Sequence, residues 1–353
     1  MGYRRYISTS LCLALTAVTA FGQGNVQLKG APAPFNGKKQ LHFALVRQMV
    51  EGEFMQMWQA GAERQAALLG VKLTVLGKNM DNEAEANFIY QAINMKVDGI
   101  VIDHGLTETL QKPAADAAAA GIPVVSFDVD VKNPDINQIA QDDPKLGLLS
   151  LQALAKDFSN KANVGYVYVA GCLPLDKRDT SFTKIKKSTP GIKEITRTGT
   201  FESPFSSKNA DQVKASLKAH PEINAYFAPY DEFGKGVVLA LDELGLSSKV
   251  KVYTADISTQ DIELMTKDGS PWAATAATNP SAIGAVSVRA LALKVAKQKL
   301  DHDILIPPTL FTSKGLRDAG VKNMKDLRQK FPAFNKVDQC NAPWIPVDTS
   351  GMF

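Results

Sequence analysis

Residues 97–128 read VDGIVIDHGLTETLQKPAADAAAAGIPVVSFD, and this stretch decides the fold. Gly99 to Asp103 (GIVID) is a short apolar run, Leu110 to Ala120 is an Ala-rich helical segment, and Ile122 to Phe127 (IPVVSF) is a second apolar run. Neither run alternates apolar with polar residues. Each is therefore expected to be buried on both faces, as parallel strands covered by crossover helices are. Gly99 and Gly121 stand where a strand begins or a helix ends, positions that favour glycine.

Working outward, the same unit repeats. His42 to Val46 (HFALV) is the first strand, a helix follows over about 54–69 and stops at Gly70, Val71 to Leu76 is the next strand, and 83–95 is helical. A second series begins near residue 144, with helices over 146–158, 211–219, 233–244, 258–267 and 281–297. Its strands fall at 164–169 (VGYVYV), 225–228, 250–254 and 272–277. Two such series make an α/β protein of two doubly wound parallel-sheet lobes. Residues 303–353 are rich in Pro and loop formers and read as a return strand over 304–311 followed by a mostly irregular tail.

The chain has 353 residues, 45% hydrophobic and 22% charged, a globular balance for which disorder is not expected. Its formal charge of +4, spread along the chain, does not suit nucleic-acid binding. No run approaches the roughly 18 consecutive apolar residues of a membrane span. Residues 1–22 read as a secretory signal: Arg4 and Arg5, an apolar Leu11 to Val18, then small residues at Ala20 and Gly22. Cys12 precedes most of the apolar stretch, so lipidation is not expected. Residues 23–40 read as a flexible lead-in. Cleavage leaves Cys172 and Cys340, which in an oxidising compartment either pair or stay independent thiols.

The usual signatures of chemistry are missing. There is no nucleophile elbow, phosphate-binding loop or dinucleotide glycine pattern, and the four histidines (42, 104, 220 and 302) have no spacing that holds zinc. No metal or cofactor is expected, and a binder is favoured over an enzyme. Ligands of doubly wound sheets sit at the carboxyl ends of the strands. That rule selects the segment Arg47 to Phe54, Asp103-His104, Asp128 and Asp130, Arg178, Tyr230-Asp231-Glu232 and Asp256. Carboxylates accept paired hydroxyl groups and aromatic faces stack on sugar C–H surfaces, so the set suits a polyhydroxylated ligand. Each has a plainer reading. Asp128 and Asp256 could cap helices, Asp231 and Glu232 could cap and charge the helix after them, and Arg178 could be a surface ion pair. Phe54 and Trp58 lie one turn apart, which puts at least one in the core, and His104 reads as structural or solvent-facing.

The motifs FALV (43–46), GAE (61–63), VDGIVI (97–102), AGIPVVSFD (120–128), HPEINAYFAPYDE (220–232) and AATAATNPSAIGA (273–285) resemble those of periplasmic substrate-binding proteins of ABC sugar importers, the ribose/galactose type. The likeness spans residues 41–312. It implies the type I periplasmic binding protein fold, with three crossings between lobes and a cleft that closes on ligand. It implies a lobe of 41–141 plus 279–302, a second of 142–278 plus 303–330, an irregular tail over 331–353, and hinges near 141–143, 277–280 and 299–304. It further implies a periplasmic monomer that delivers ligand to ABC permease subunits in the inner membrane.

Position by position, the resemblance puts the stacking aromatic on Phe54, with Met55 beside it, and the sugar-hydroxyl carboxylates on Asp128 and Asp256. The second lobe's Arg falls on Arg178 and its stacking Phe on Phe205. Three family contacts are replaced: an Arg by Val129, an Asn by Tyr230 and a Gln by Thr278. These changes disfavour ribose itself. With Arg178 as the one cleft cation against Asp128, Asp130 and Asp256, a neutral sugar or polyol is expected rather than an acid. Arg47 and Lys78 are the cations that could alter this balance. Val129 would form an apolar wall suited to a deoxysugar or short polyol. Alternatives are a chemotaxis or signalling subunit with the same ligand and, less favoured, a carboxylate-dependent secreted enzyme. A repressor of the same fold would need a DNA-binding helix pair where residues 1–40 carry the signal.

Overall fold

The structure, a computed structural model, describes residues 28–335 and 337–347. The signal expected at 1–22 lies outside the described residues. The first series runs β1 (His42–Arg47), α1 (Glu53–Leu68), β2 (Lys72–Gly77), α2 (Asn82–Asn94), β3 (Gly99–Asp103), α3 (Thr107–Ala119), β4 (Val124–Phe127) and β5 (Asn137–Gln141). The second runs α4 (Asp143–Asp157), β6 (Ala162–Val167), α5 (Leu173–Ser188), β7 (Ile192–Thr198), α6 (Phe205–Ala219), β8 (Ala225–Ala228), α7 (Asp231–Glu243), β9 (Lys251–Ala255), α8 (Thr259–Thr266) and β10 (Trp272–Ala277). Then follow α9 (Pro280–Val295), β11 (Asp303–Ile306), β12 (Thr309–Thr312), α10 (Ser313–Asp318) and α11 (Met324–Lys330).

Two sheets result, ordered β11-β5-β4-β3-β1-β2 and β12-β10-β9-β8-β6-β7. All pairings are parallel except that of β12 with β10. β1, β3 and β4 are buried along almost their whole length, as their unbroken apolar runs require. Trp58 of α1 is fully buried and stacks on Phe127 of β4 at 5.1 Å, so of the pair one turn apart Trp58 is the core residue. α9 is apolar on nearly every side and almost wholly buried. It lies directly on α1: a Cβ on Gly284 would come within 1.9 Å of the Trp58 carbonyl, and one on Gly61 within 2.0 Å of the Ser281 carbonyl. Only glycine permits that approach.

Three elements escape a reading of pattern. β5 (NQIAQ) carries polar residues in a central strand, β7 (IKEITRT) is a half-exposed edge strand, and α5 (LPLDKRDTSFTKIKKS) is dominated by charge. The expected single strand over 304–311 is two strands in different sheets. Consecutive prolines at 307 and 308 lack the N–H groups a continued ladder needs, so the chain leaves the first sheet and enters the second there. The chain therefore crosses at Asp142, at Thr278–Asn279 and at Pro307–Pro308, the last beyond the expected 299–304.

The chain ends are also more ordered than composition suggests. In the lead-in, Ala31 and Phe35 are buried, and the Phe35 ring meets Trp344 at 4.8 Å and Phe43 at 6.5 Å. The tail adds α10, α11 and a 3-10 turn at Pro332–Asn335 before docking back on the first lobe. There Arg289 donates to the carbonyls of Val337 (3.2 Å) and Gln339 (3.0 Å), and Gln65 donates to that of Pro346 (2.8 Å).

Candidate ligand-binding site

β4 and β9 both end in an aspartate with left-handed backbone, Asp128 (φ 56°) and Asp256 (φ 72°). Each donates its N–H to a neighbouring strand, Asp128 to the Ile139 carbonyl at 3.0 Å and Asp256 to that of Ala276 at 2.9 Å. Neither begins a helix. The cap of α8 is Ser258, whose hydroxyl accepts from Asp261 N. The strand-end kink instead turns both carboxylates into the space between the lobes, where each lines one cavity.

That cavity has two joined chambers. The first sets Asp128, Asp256, Arg178, Gln141 and His104 against Phe54, Tyr230, Met49, Met55, Leu175 and Phe201. The second shares Met49, His104, Asp128, Cys172 and Phe201 and adds Gln48, Met80, Asn82, Leu106 and Leu173. Both chambers mix polar groups with apolar surface, the second carrying Gln48, Asn82, His104 and Asp128 beside its methionines and leucines.

Arg178 is held mainly by protein. Its Nε donates to Asp143 Oδ1 at 2.9 Å, and Nη1 donates to the Pro229 carbonyl at 2.6 Å and to Asp256 Oδ2 at 2.8 Å. Burial works against its charge, yet Asp256 and Asp143 raise its pKa above the ordinary value. Asp256 also accepts from Gln141 Nε2 at 3.1 Å, and Thr278 donates its hydroxyl to Gln141 Oε1. Thr278 thus stands at a crossing behind the site and fixes the amide that touches it. Burial pushes Asp128 up to about 8, with the Asp143 charge adding to the effect, and one Asp128 oxygen has no hydrogen-bond partner.

His104 follows β3 and faces both chambers. Its Nδ1 lies 2.6 Å from Asp103 Oδ1, whose other oxygen accepts from Arg47 Nε at 2.7 Å. Nε2 is left toward the ligand space, 3.9 Å from Asp128 Oδ2. Burial opposes its protonation, but Asp103 and Asp128 together raise its pKa above 6.5. Arg47 itself points away from the cavity, donating to the carbonyls of Met49 (2.9 Å) and Met55 (3.1 Å) and so holding the loop that carries Met49. Lys78 is exposed and paired with Asp81 at 2.7 Å.

Of the residues singled out from sequence, the structure brings Phe54, Asp128, Arg178, Tyr230 and Asp256 to one cavity. Three lie elsewhere. Val129 is buried in the first lobe's own core with Val131 and Ile136, because the backbone turn at Asp128 sends the next side chain inward. Asp130 sits on the first lobe's surface with Lys132 and accepts from Gln138 at 2.9 Å. Phe205 is fully buried behind the lining, and Phe201, 5.5 Å from it, takes the cavity wall. Asp231 and Glu232 open α7 in a buried group with Lys235 and Asp261. The strand-end rule selects His104 and the segment that holds Met49, but the plainer reading makes His104 structural or solvent-facing; Gln141, Phe201 and Cys172 are not singled out as lining residues. Cys172 and Cys340 are free thiols. Among the described residues no group of three or more His, Cys, Asp or Glu could hold a metal, and no helix is long and apolar enough to cross a membrane.

The sequence matches the model of the periplasmic binding protein domain over residues 43–299. The chain belongs to the periplasmic binding protein family. This periplasmic binding protein is similar to the 5-methylthioribose transporter solute binding protein of Thermotoga lettingae TMO, solved with 5-methylthioribose bound. The two are 38% identical with a TM-score of 0.85, covering 86% of this chain and 97% of that one. A sugar ABC transporter structure from Yersinia enterocolitica is 30% identical, with a TM-score of 0.84 over 88% of this chain and 94% of its own. Among curated relatives, the ribose import binding protein RbsB of Bacillus subtilis is 24% identical, covering 88% of this chain and the whole of that protein.

Proposed function

We propose that this periplasmic binding protein captures a small neutral pentose carrying an apolar substituent, of the 5-methylthioribose kind, and delivers it to an ABC permease. One observation carries the reading: a single cleft sets Asp128, Asp256, Gln141 and His104 beside Met49, Met55, Met80, Leu173 and Phe201, so ring hydroxyls and an apolar tail each have partners there. Asp128, Asp256, Gln141 and His104 supply acceptors and donors for hydroxyls. Arg178 has no free fork for a ligand carboxylate, since Asp143, Asp256 and Pro229 occupy it. The apolar wall expected at Val129 comes instead from methionine and aromatic side chains, which adapt to a thioether. The binding of 5-methylthioribose by a relative 38% identical supports the same class. The protein works as a periplasmic monomer and returns its ligand unchanged.

Calorimetric titration with 5-methylthioribose, ribose, xylitol and ribonate tests the assignment. The first is expected to bind tightest, ribose at least about tenfold weaker for want of the buried methylthio group, and ribonate not at all. Ribonate binding as tightly as 5-methylthioribose, or chemical change in the recovered ligand, would overturn it.

A further inference from the structure

We propose that Glu51-Gly52-Glu53, which lines neither chamber, is a latch that holds the lobes closed and sets how long the ligand stays. The proposal rests on the cleft being a ligand-capture site. These residues connect β1 to α1 in the first lobe, yet their partners lie in the second. In a doubly wound sheet the helices that follow the strands begin at the sheet's carboxyl edge, so α6, α7 and α8 all present their N-termini to the cleft. Such ends carry unpaired N–H groups and a partial positive charge.

Glu51 meets α6. Its Oε1 accepts from Phe205 N at 2.8 Å and its Oε2 from Ser203 Oγ at 2.6 Å. Pro204, the residue before that helix, provides no side-chain cap, so the cap comes from the other lobe. Glu53 meets α8, its two oxygens accepting from Thr259 N and Gln260 N, both at 3.1 Å. Between them Gly52 faces α7. Its φ is 97°, and a Cβ there would lie 2.9 Å from Glu232 Oε1 and 3.3 Å from Tyr230 Oη. A side chain at 52 would press on the Glu232 carboxylate and the Tyr230 hydroxyl of the second lobe.

The loop is also held within its own lobe. Asn79, also in the first lobe, accepts from Val50 N (3.1 Å) and Glu51 N (3.3 Å) and donates to Glu51 Oε2 (3.1 Å). Opening the cleft would strip both carboxylates of their helix partners and leave the helix N–H groups to water. The contacts therefore favour the closed state alone, and they slow ligand escape without selecting among ligands.

The test pairs Glu51→Ala/Glu53→Ala with wild type, and uses Glu263→Gln, an exposed carboxylate on the same α8, as control. Stopped-flow release of 5-methylthioribose is expected to be at least about tenfold faster in the double variant. Association should change little, and the preference for 5-methylthioribose over ribose should be unchanged. Glu51→Gln/Glu53→Gln keeps one acceptor on each side chain and should show a smaller effect in the same direction. Hydrogen exchange at Phe205, Thr259 and Gln260 amides, with and without ligand, should be faster in the double variant, with an unchanged melting temperature excluding a folding defect. Equal exchange and equal release in both proteins would overturn the latch. If wild type does not bind 5-methylthioribose, the proposed ligand class falls instead, and exchange in the ligand-free proteins decides the latch.

Discussion

His104 Nε2 and Asp128 Oδ2 face the same ligand space from the ends of neighbouring strands, 3.9 Å apart. The gap is too wide for a direct hydrogen bond and wide enough for a ligand hydroxyl to engage both. With Nδ1 committed to Asp103, the ring has one nitrogen for the ligand. His104→Ala is expected to weaken 5-methylthioribose binding about tenfold or more, and His104→Gln to recover part of it. The charged imidazole is the donor, and its pKa is raised. Donation by the charged ring is therefore fully present at acidic pH and is lost as pH rises through the raised value. The difference between wild type and His104→Ala should shrink on that rise in a calorimetric pH series.

Asp128 and Asp256 should separate by stability. Asp128 is buried with one unpartnered oxygen, so Asp128→Ala should cost at least about 2 kcal/mol in binding while leaving the melting temperature unchanged or higher. Asp256→Ala also strands the buried Arg178 guanidinium, and should cost about 3 kcal/mol or more of folding stability besides weakening binding. Equal thermal stability of the two variants would contradict the pairing of Arg178 with Asp256.

Glu85 lies buried on α2 with neither carboxylate oxygen hydrogen-bonded. Burial, with the Asp103 charge behind it, pushes its pKa from 4.5 to about 10. The unfolded chain loses this proton near 4.5 and the folded chain only near 10, so stability falls as pH climbs through that window. Glu85→Gln should remove the slope and stabilise the protein by about 2 kcal/mol or more at pH ~8, with little gain at pH ~4.5. Melting curves at the two pH values check it.

Cys172 borders both chambers, and burial pushes its pKa up to about 12, which keeps the thiol neutral and poorly nucleophilic. Burial pushes Cys340, held in the docked tail, up to about 11. Both should react slowly with iodoacetamide in native protein at neutral pH and fully after unreduced denaturation. Saturation with 5-methylthioribose should slow Cys172 further. A thiol count of zero in denaturant would show a disulfide that the free thiols exclude.

Local pattern carries much of this molecule. Unbroken apolar runs at β1, β3 and β4 specify buried parallel strands, and the strand-end rule by itself finds Asp128 and Asp256. The same rule selects Phe54, Arg178 and Tyr230, and the resemblance adds the roles expected of Phe54 and Arg178. The same reading loses β5, β7 and α5, whose polar residues mask their place in the sheets. It also puts Val129 and Phe205 at the ligand, one residue past a left-handed turn and four residues past Phe201.

Which apolar faces are buried follows from periodicity within a segment, and the sequence alone determines that. Which side chains meet across the cleft depends on how the two lobes dock. Gln141 reaches Asp256, Glu53 reaches α8, and His104 shares a cavity with Arg178 only because residues far apart in the chain are brought together. No local preference encodes those distances; the packing of one lobe on the other sets them.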